Sequence, residues 1–300
     1  MSILSEKLKY DPWEAYQEVA DVKIVLHCSR YWMLSEWECE NMSFPFWRLY
    51  HSRTGGAFVT FESYEYELTN DKLLLIPPYT SFSTRIKALR PQRFESIRGV
   101  SIQSESEIDF YRQSGMCDQL FVHFNLGYPL DKMTPGIYEI ALPEYWISKL
   151  TEIERDRLDE PESIGFLSHI RISGIINFAL QYLPADLWHF PVIEKRILKA
   201  MKYIDENLKE PLSNKELSAV ANLATNYFSR LFRESLRLSV QEYIQMKRVD
   251  NAVMLFHHSD QEIVEIASES GFCDRHHFSR IFKKRTGFSP AAYRDKIRRG

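Results

Sequence analysis

The stretch HHFSRIFKKRTGFSPAAYR, residues 276–294, repeats a pattern already written fifty residues earlier as NYFSRLFRESLRLSVQEYI, residues 226–244. Phe278-Ser279-Arg280 answers Phe228-Ser229-Arg230, Phe282 answers Phe232, Ser289 answers Ser239 and Tyr293 answers Tyr243. Each copy sets large apolar residues three and four apart, the spacing of one helix face. Boundary signals frame both. Ser213-x-x-Glu216 and Ser239-x-x-Glu242 predict capping boxes. Asp274 reads as an N-cap, Gly287 as a helix end and Ser289-Pro290 as a helix start. Ala224 has no capping oxygen, which assigns that role to Thr225. The region after residue 192 then divides into seven helical segments containing two helix–turn–helix units. Leu217, Leu223, Phe228, Leu231 and Phe232 form the expected core of the first unit, and Ile266, Phe272, Phe278, Ile281 and Phe282 that of the second. Their turns carry Asn222 and Gly271, residues that tolerate positive φ.

With the aromatic residues facing inward, Asn226, Ser229, Arg230 and Arg233 share the outer face of the first doubled helix, with Thr225 at its start. Arg275, His276, Ser279, Arg280 and Lys283 share that of the second. These side chains suit base edges and phosphates in a DNA major groove: arginine pairs bidentately with guanine, asparagine with adenine. Any amphipathic helix has a solvated face, so the signal lies in its duplication within a basic region. From Val192 onward there are 20 Lys+Arg against 14 Asp+Glu, whereas the rest has 18 against 27. The helix expected between the units, Val240 to His258, would be about 28 Å long at 1.5 Å per residue. That approaches the roughly 34 Å between successive major-groove faces on one side of a duplex.

The front of the chain is of another kind. FWRLYHSR, GAFVTFESYEYEL, KLLLIPP, FSTRI, DQLFVHFNL and GIYEIAL are short β-branched and aromatic runs separated by turn residues, which predicts a β-sandwich or small barrel. Residues 144–183 read as two amphipathic helices. In the second, Ile164, Leu167, Ile170 or Arg171, Gly174 or Ile175, and Phe178 make a stripe broad enough for its own domain and for a second copy of the chain, with one-sided docking on its own domain as the plain alternative. The expected division is 1–183 for the β-domain and its helices, 184–191 for a linker and 192–300 for the basic helical domain, an α+β chain overall. The first twenty residues lack the apolar core of a signal peptide, and no run is long enough for a membrane span, so a cytoplasmic location is expected. Cys28, Cys39, Cys117 and Cys273 show no paired spacing. No His-x-His pair occurs, which leads us to expect no metal and no cofactor. No catalytic constellation is assigned.

The run IASESGFCDRHHFSRIFKKRTGFSPAAYR closely resembles the AraC/XylS-type DNA-binding domain, and the resemblance extends from about Ser213 to Arg294. Ser218, Ala224 and Leu236-Arg237 depart from the family pattern, all in the first unit. The resemblance implies base contacts around Asn226, Ser229 and Arg230, and around Arg275, His276, Ser279 and Arg280. It also implies a cupin-like N-terminal domain, a helical dimerisation segment and a homodimer. By the same token it implies a small-molecule effector, a sugar among the options, contact with RNA polymerase, and activation rather than repression. Trp32, Trp37, Trp47, Tyr50, Tyr64, Tyr66 and His123 are the candidate effector contacts, each with core packing as the plain alternative. The rival reading is a cupin-fold enzyme fused to a DNA-binding tail; a methyl-accepting repair protein ranks below it.

Overall fold

The computed structural model describes residues 23–86, 96–102, 104–127, 130–159, 163–188 and 193–299. The opening segment read for a leader lies outside them. Among the described residues no helix is long and apolar enough to cross a membrane.

Nine strands form the front: β1 (Val25–Met42), β2 (Trp47–His51), β3 (Ala57–Phe61), β4 (Tyr64–Leu68), β5 (Lys72–Ile76), β6 (Phe82–Ile86), β7 (Ser96–Ser101), β8 (Cys117–Asn125) and β9 (Tyr138–Ala141). They pair antiparallel in the order β4-β3-β6-β1-β8-β2-β5-β9, with β7 added to β1. The sheet curls into a half-barrel with free edges at β4 and β9, where the sequence suggested a sandwich or barrel. Six of the strand-bearing runs appear as expected. The central strand β1 was not foreseen, nor were β7 and the helix α1 (Glu105–Gln113). β1 pairs with β8, β7 and β6, and its register shifts after Leu26, Leu34 and Cys39. Each shift reverses which face a side chain takes, so no period-two pattern runs through its 18 residues.

Helices α2 (Glu144–Asp159) and α3 (Phe166–Leu180) cover one face of the half-barrel. Leu150, Ile153, Ile172, Ile175 and Ile176 are fully buried there with Trp47, Leu49 and Val122. The other side of α3 is bare: Phe166 is 78% exposed, Leu167 65% and Ile170 54%. The expected linker is partly structured. Residues 185–187 make a single 3-10 turn, and Trp188 bridges to Met133 and packs on Trp47.

The helical domain contains α4 (Lys195–Glu206), α5 (Asn214–Val220), α6 (Thr225–Leu236), α7 (Val240–His258), α8 (Ile263–Glu269), α9 (Arg275–Thr286) and α10 (Pro290–Arg299), the seven segments expected. One buried acid holds much of the half-barrel's loop geometry. Asp118 accepts from Tyr31 OH (2.8 Å), Thr54 N (2.8 Å), Thr54 Oγ1 (2.6 Å), Arg53 N (3.2 Å) and Ser52 Oγ (3.3 Å). Burial pushes its carboxyl up, but the donors from Thr54, Tyr31 and Arg53 outweigh that and hold it below the usual range.

Asp118→Ala would leave these donors unpaired and is expected to lower stability by about 3 kcal/mol or more. Because the folded-state pKa is depressed, the ionised group stabilises above the unfolded value near about 3.9 and loses this as pH falls through the folded value. Urea unfolding of wild type and Asp118→Asn should give a difference that is constant at neutral pH and shrinks below about pH 4. A difference independent of pH would refute the assignment.

Candidate nucleic-acid interface and interdomain cavity

Each doubled helix sits on a shorter helix. In the first unit α6 packs on α5 through Phe228, Phe232 and Leu217, all fully buried. In the second, α9 packs on α8 through Phe278, Phe282 and Ile266. Leu223, Leu231 and Ile281 are only partly buried at the rims. Asn222 (φ 53°) and Gly271 (φ 82°) make the turns in the left-handed region. Asn226, Arg230 and Arg233 on α6 are exposed, as are Arg275, His276, Arg280 and Lys283 on α9. Ser229 and Ser279 are half-buried between them.

The two units are framed unequally. Asp274 caps α9 by accepting from His276 N (3.1 Å) and His277 N (2.9 Å), which holds its carboxyl below the usual range. Gly287 closes α9 at φ 82°. In the first unit Ala224 remains the N-cap residue without a side-chain bond. Thr225 lies inside the helix, where its hydroxyl pairs with that of buried Ser218 (3.0 Å), so it does not take the capping role. Arg237, not glycine, closes α6 in the left-handed region at φ 59°. The box at Ser239 and Glu242 is complete. Ser213 bonds Glu216 N (3.1 Å), while the Glu216 carboxylate accepts from Tyr203 OH (2.9 Å).

α7 separates the units with the 19 residues expected. A second contact fixes their relation. Leu208 O accepts from Arg248 Nε of α7 (2.9 Å), and a Cβ at Gly271 would lie 2.0 Å from that same oxygen. Only glycine lets the second unit's turn approach the loop after α4 so closely.

Behind the second unit lies a cavity of about 470 Å³. Its walls come from β1, β2 and β8 on one side and from α7, Arg285, Phe288 and Tyr293 on the other. Trp32, Trp37, Tyr50 and His123 line it. The other effector candidates lie elsewhere. Trp47 is fully buried on the opposite face with its Nε1–H donating to Asp131 (3.0 Å). Tyr64 and Tyr66 sit on edge strand β4, Tyr64 being 64% exposed. These three do not line the cavity, because aromatic content does not say which face of a sheet a residue takes.

Arg48 is the most deeply buried cation of a lining that also includes Arg30, Arg285 and Asp250, whose carboxyl is pushed up to about 6 by burial. Arg48 is 3% exposed, and its guanidinium lies 3.6 Å from the Phe44 ring centroid. Among the described residues no carboxylate forms an ion pair with it. Burial lowers its pKa. The same desolvation, with Arg48 nearby, holds His123 and His257 well below their usual value, and His258 at about 3, so all three imidazoles are neutral. Burial pushes the Cys28 thiol up to about 11. Phe44 and Phe46 of the half-barrel belong to the second unit's own apolar cluster. Tyr79 OH donates to Asp250 of α7 (2.7 Å), and His257 bonds Tyr293 OH (3.1 Å). Sequence reasoning missed Arg48, Cys28, His257 and His258; their proximity depends on contacts between residues as distant in sequence as Cys28 and His258.

Residues 217–296 match the helix-turn-helix domain family. The chain is 34% identical over 107 residues to the arabinose operon regulatory protein of Escherichia coli K12, covering 35% of this chain and 36% of that protein. It is 32% identical over 106 residues to the HTH-type transcriptional regulator YbfP of Bacillus subtilis 168, covering 35% and 36%. The DNA-binding domain of AdpA, solved in complex with a target DNA, is 28% identical with a TM-score of 0.34, covering 34% of this chain and 93% of that one. The chain thus spans about a third of the length of the curated relatives it matches. The matched third is a helix-turn-helix domain of the kind that transcriptional regulators carry.

Proposed function

We propose that this chain is a sequence-specific DNA-binding transcriptional regulator of the AraC/XylS type, controlled by a small molecule held between its two domains. The observation that carries the DNA reading is the pair of matched helices, α6 and α9, with exposed polar and basic outer faces on a shared spacer helix. A spacer about 28 Å long suits two helices entering adjacent major-groove segments. Arg230, Arg280, Asn226 and His276 are the base-reading candidates, with Arg233, Arg275 and Lys283 toward phosphates.

Control by a ligand is supported by the interdomain cavity, whose lining includes α7 itself. A molecule that fits one arrangement of its walls better than another biases the position of the second unit. The buried, acid-free Arg48 favours an effector with an anionic group, and Trp32 and Trp37 offer ring surface beside it. A neutral sugar would leave that charge uncompensated. The bare apolar face of α3, with Phe166, Leu167 and Ile170, fits a second copy of the chain. That the curated relatives matched over the last third are transcriptional regulators supports ranking the fused-enzyme reading second.

Arg280→Ala should weaken specific DNA binding by about 5- to 150-fold, the equivalent of roughly 1–3 kcal/mol, while leaving the melting midpoint unchanged. A gel-shift titration showing unaltered specific affinity would sink the recognition-helix assignment. In a thermal-shift screen of small organic acids, phosphates and sugars, a binder should raise the wild-type midpoint. Arg48→Met should remove the response to an anionic hit, and a response that survives would separate the effector from Arg48. Leu167→Glu should shift the full chain from dimer to monomer in sedimentation; an unchanged dimer would move the interface off α3.

A further inference from the structure

We propose that Cys28, His123 and His258 form a binding site for a soft monovalent metal ion, copper(I), at the seam between the half-barrel and the end of α7. One donor atom from each side chain lies within 4.8 Å of the others. An ion with bonds of about 2.0–2.3 Å would hold such donors roughly 3.5–3.8 Å apart. About 1 Å of side-chain movement therefore closes the set.

Three independent features converge here. The β1–β8 register pairs Cys28 directly with His123. That pairing exists because the register shifts between Leu26 and Cys28; without the shift His27 would stand opposite His123. Bulges of this kind re-aim side chains beside functional sites. The third donor is the last residue of α7, carried in from the other domain. Finally, both ring nitrogens of His123 and of His258 are buried and find no hydrogen-bond partner among the described residues. Four buried ring nitrogens without a partner, one of each imidazole within reach of the same cysteine sulfur, are unusual in a folded protein and call for a ligand.

The donor chemistry selects the ion. One cysteine sulfur, whose thiol proton would pass to solvent as the metal–sulfur bond forms, with two imidazoles and no carboxylate in the set, suits thiophilic ions such as copper(I) and zinc(II). Local charge decides between them. Arg30 and Arg48 make the surroundings of Cys28, His123 and His258 positive. Copper(I) with one thiolate adds no net charge, whereas zinc(II) adds one positive charge beside a buried guanidinium. Because His258 ends the spacer helix, a bound ion would staple that end to the half-barrel. The inference rests on these three side chains and stands whether or not the chain reads DNA.

The test uses full-length protein with Cys273→Ser, which removes the exposed thiol. Anaerobic titration with tetrakis(acetonitrile)copper(I) against a bicinchoninate competitor should show one ion per chain and a thiolate-to-metal charge-transfer band. Cys28→Ser and, separately, His258→Ala should each weaken binding by at least tenfold and abolish or shift that band. Circular dichroism identifies a variant that fails to fold, and the other then decides. Hydrogen exchange at the C-terminal turn of α7 should slow on loading. Failure of the parent to retain copper(I), retention that neither variant alters, or tighter binding of zinc(II) in the matching titration would each overturn the proposal.

Discussion

The structure depends on one helix meeting three sets of neighbours at once. Val240, Tyr243 and Ile244 at the start of α7 complete the core of the first unit. Val249, Ala252, Val253 and Phe256 complete that of the second, together with Phe44 and Phe46 from the half-barrel. A helix is stiff over this length, so α7 cannot shift at one end without disturbing the packing at the other. Arg248 ties its middle to the carbonyl of Leu208, the atom that Gly271 approaches. The two outer faces are thereby held at a fixed separation, which the proposed reading of two groove segments requires.

The inequality of the two units follows from a few side chains. Closing α6 with Arg237 at φ 59° forfeits the ease glycine brings to that conformation, an effect of about 1 kcal/mol. Ala224 leaves the first backbone N–H groups of α6 without the oxygen that Asp274 supplies to α9. Yet Ser218, another of the first unit's departures, keeps its buried hydroxyl partnered, with Lys215 O (2.8 Å) and Thr225 Oγ1. The second unit is therefore the better determined locally. It is also the one that meets the half-barrel.

Legibility followed the range of the interactions. Helices with caps and a 3.6-residue period are written in adjacent residues, so α7 could be read to the residue and Asp274, Gly287 and Ser239 took their expected roles. β1 resisted because its bulges interrupt alternation. The cavity resisted for a different reason. Trp37 and Tyr50 line it while Trp47 and Tyr64 do not, and only the sheet's curl and the docking of α7 distinguish them. Cys28, His123 and His258 looked unrelated because a pattern in sequence cannot show three donors brought together from two strands and a helix end.

Arg48 shows why such a seam is suited to control. A buried guanidinium without an acid is costly, and aromatic rings recover only part of its lost hydration. Arg48 has the Tyr50 hydroxyl as a hydrogen-bond partner but no acid, so any arrangement of the domains that keeps it sealed is a stressed one. On the proposed reading, an anion entering the cavity would relieve that stress only while the walls stay close, and opening the seam would relieve it by admitting water. The two outcomes move α7 in opposite directions relative to the half-barrel. Such a ligand would then favour the closed arrangement by the difference in its affinity for the two, and no more. A charge that makes the empty closed state expensive would enlarge that difference, which is how the proposed ligand would gain leverage over a helix some 28 Å long.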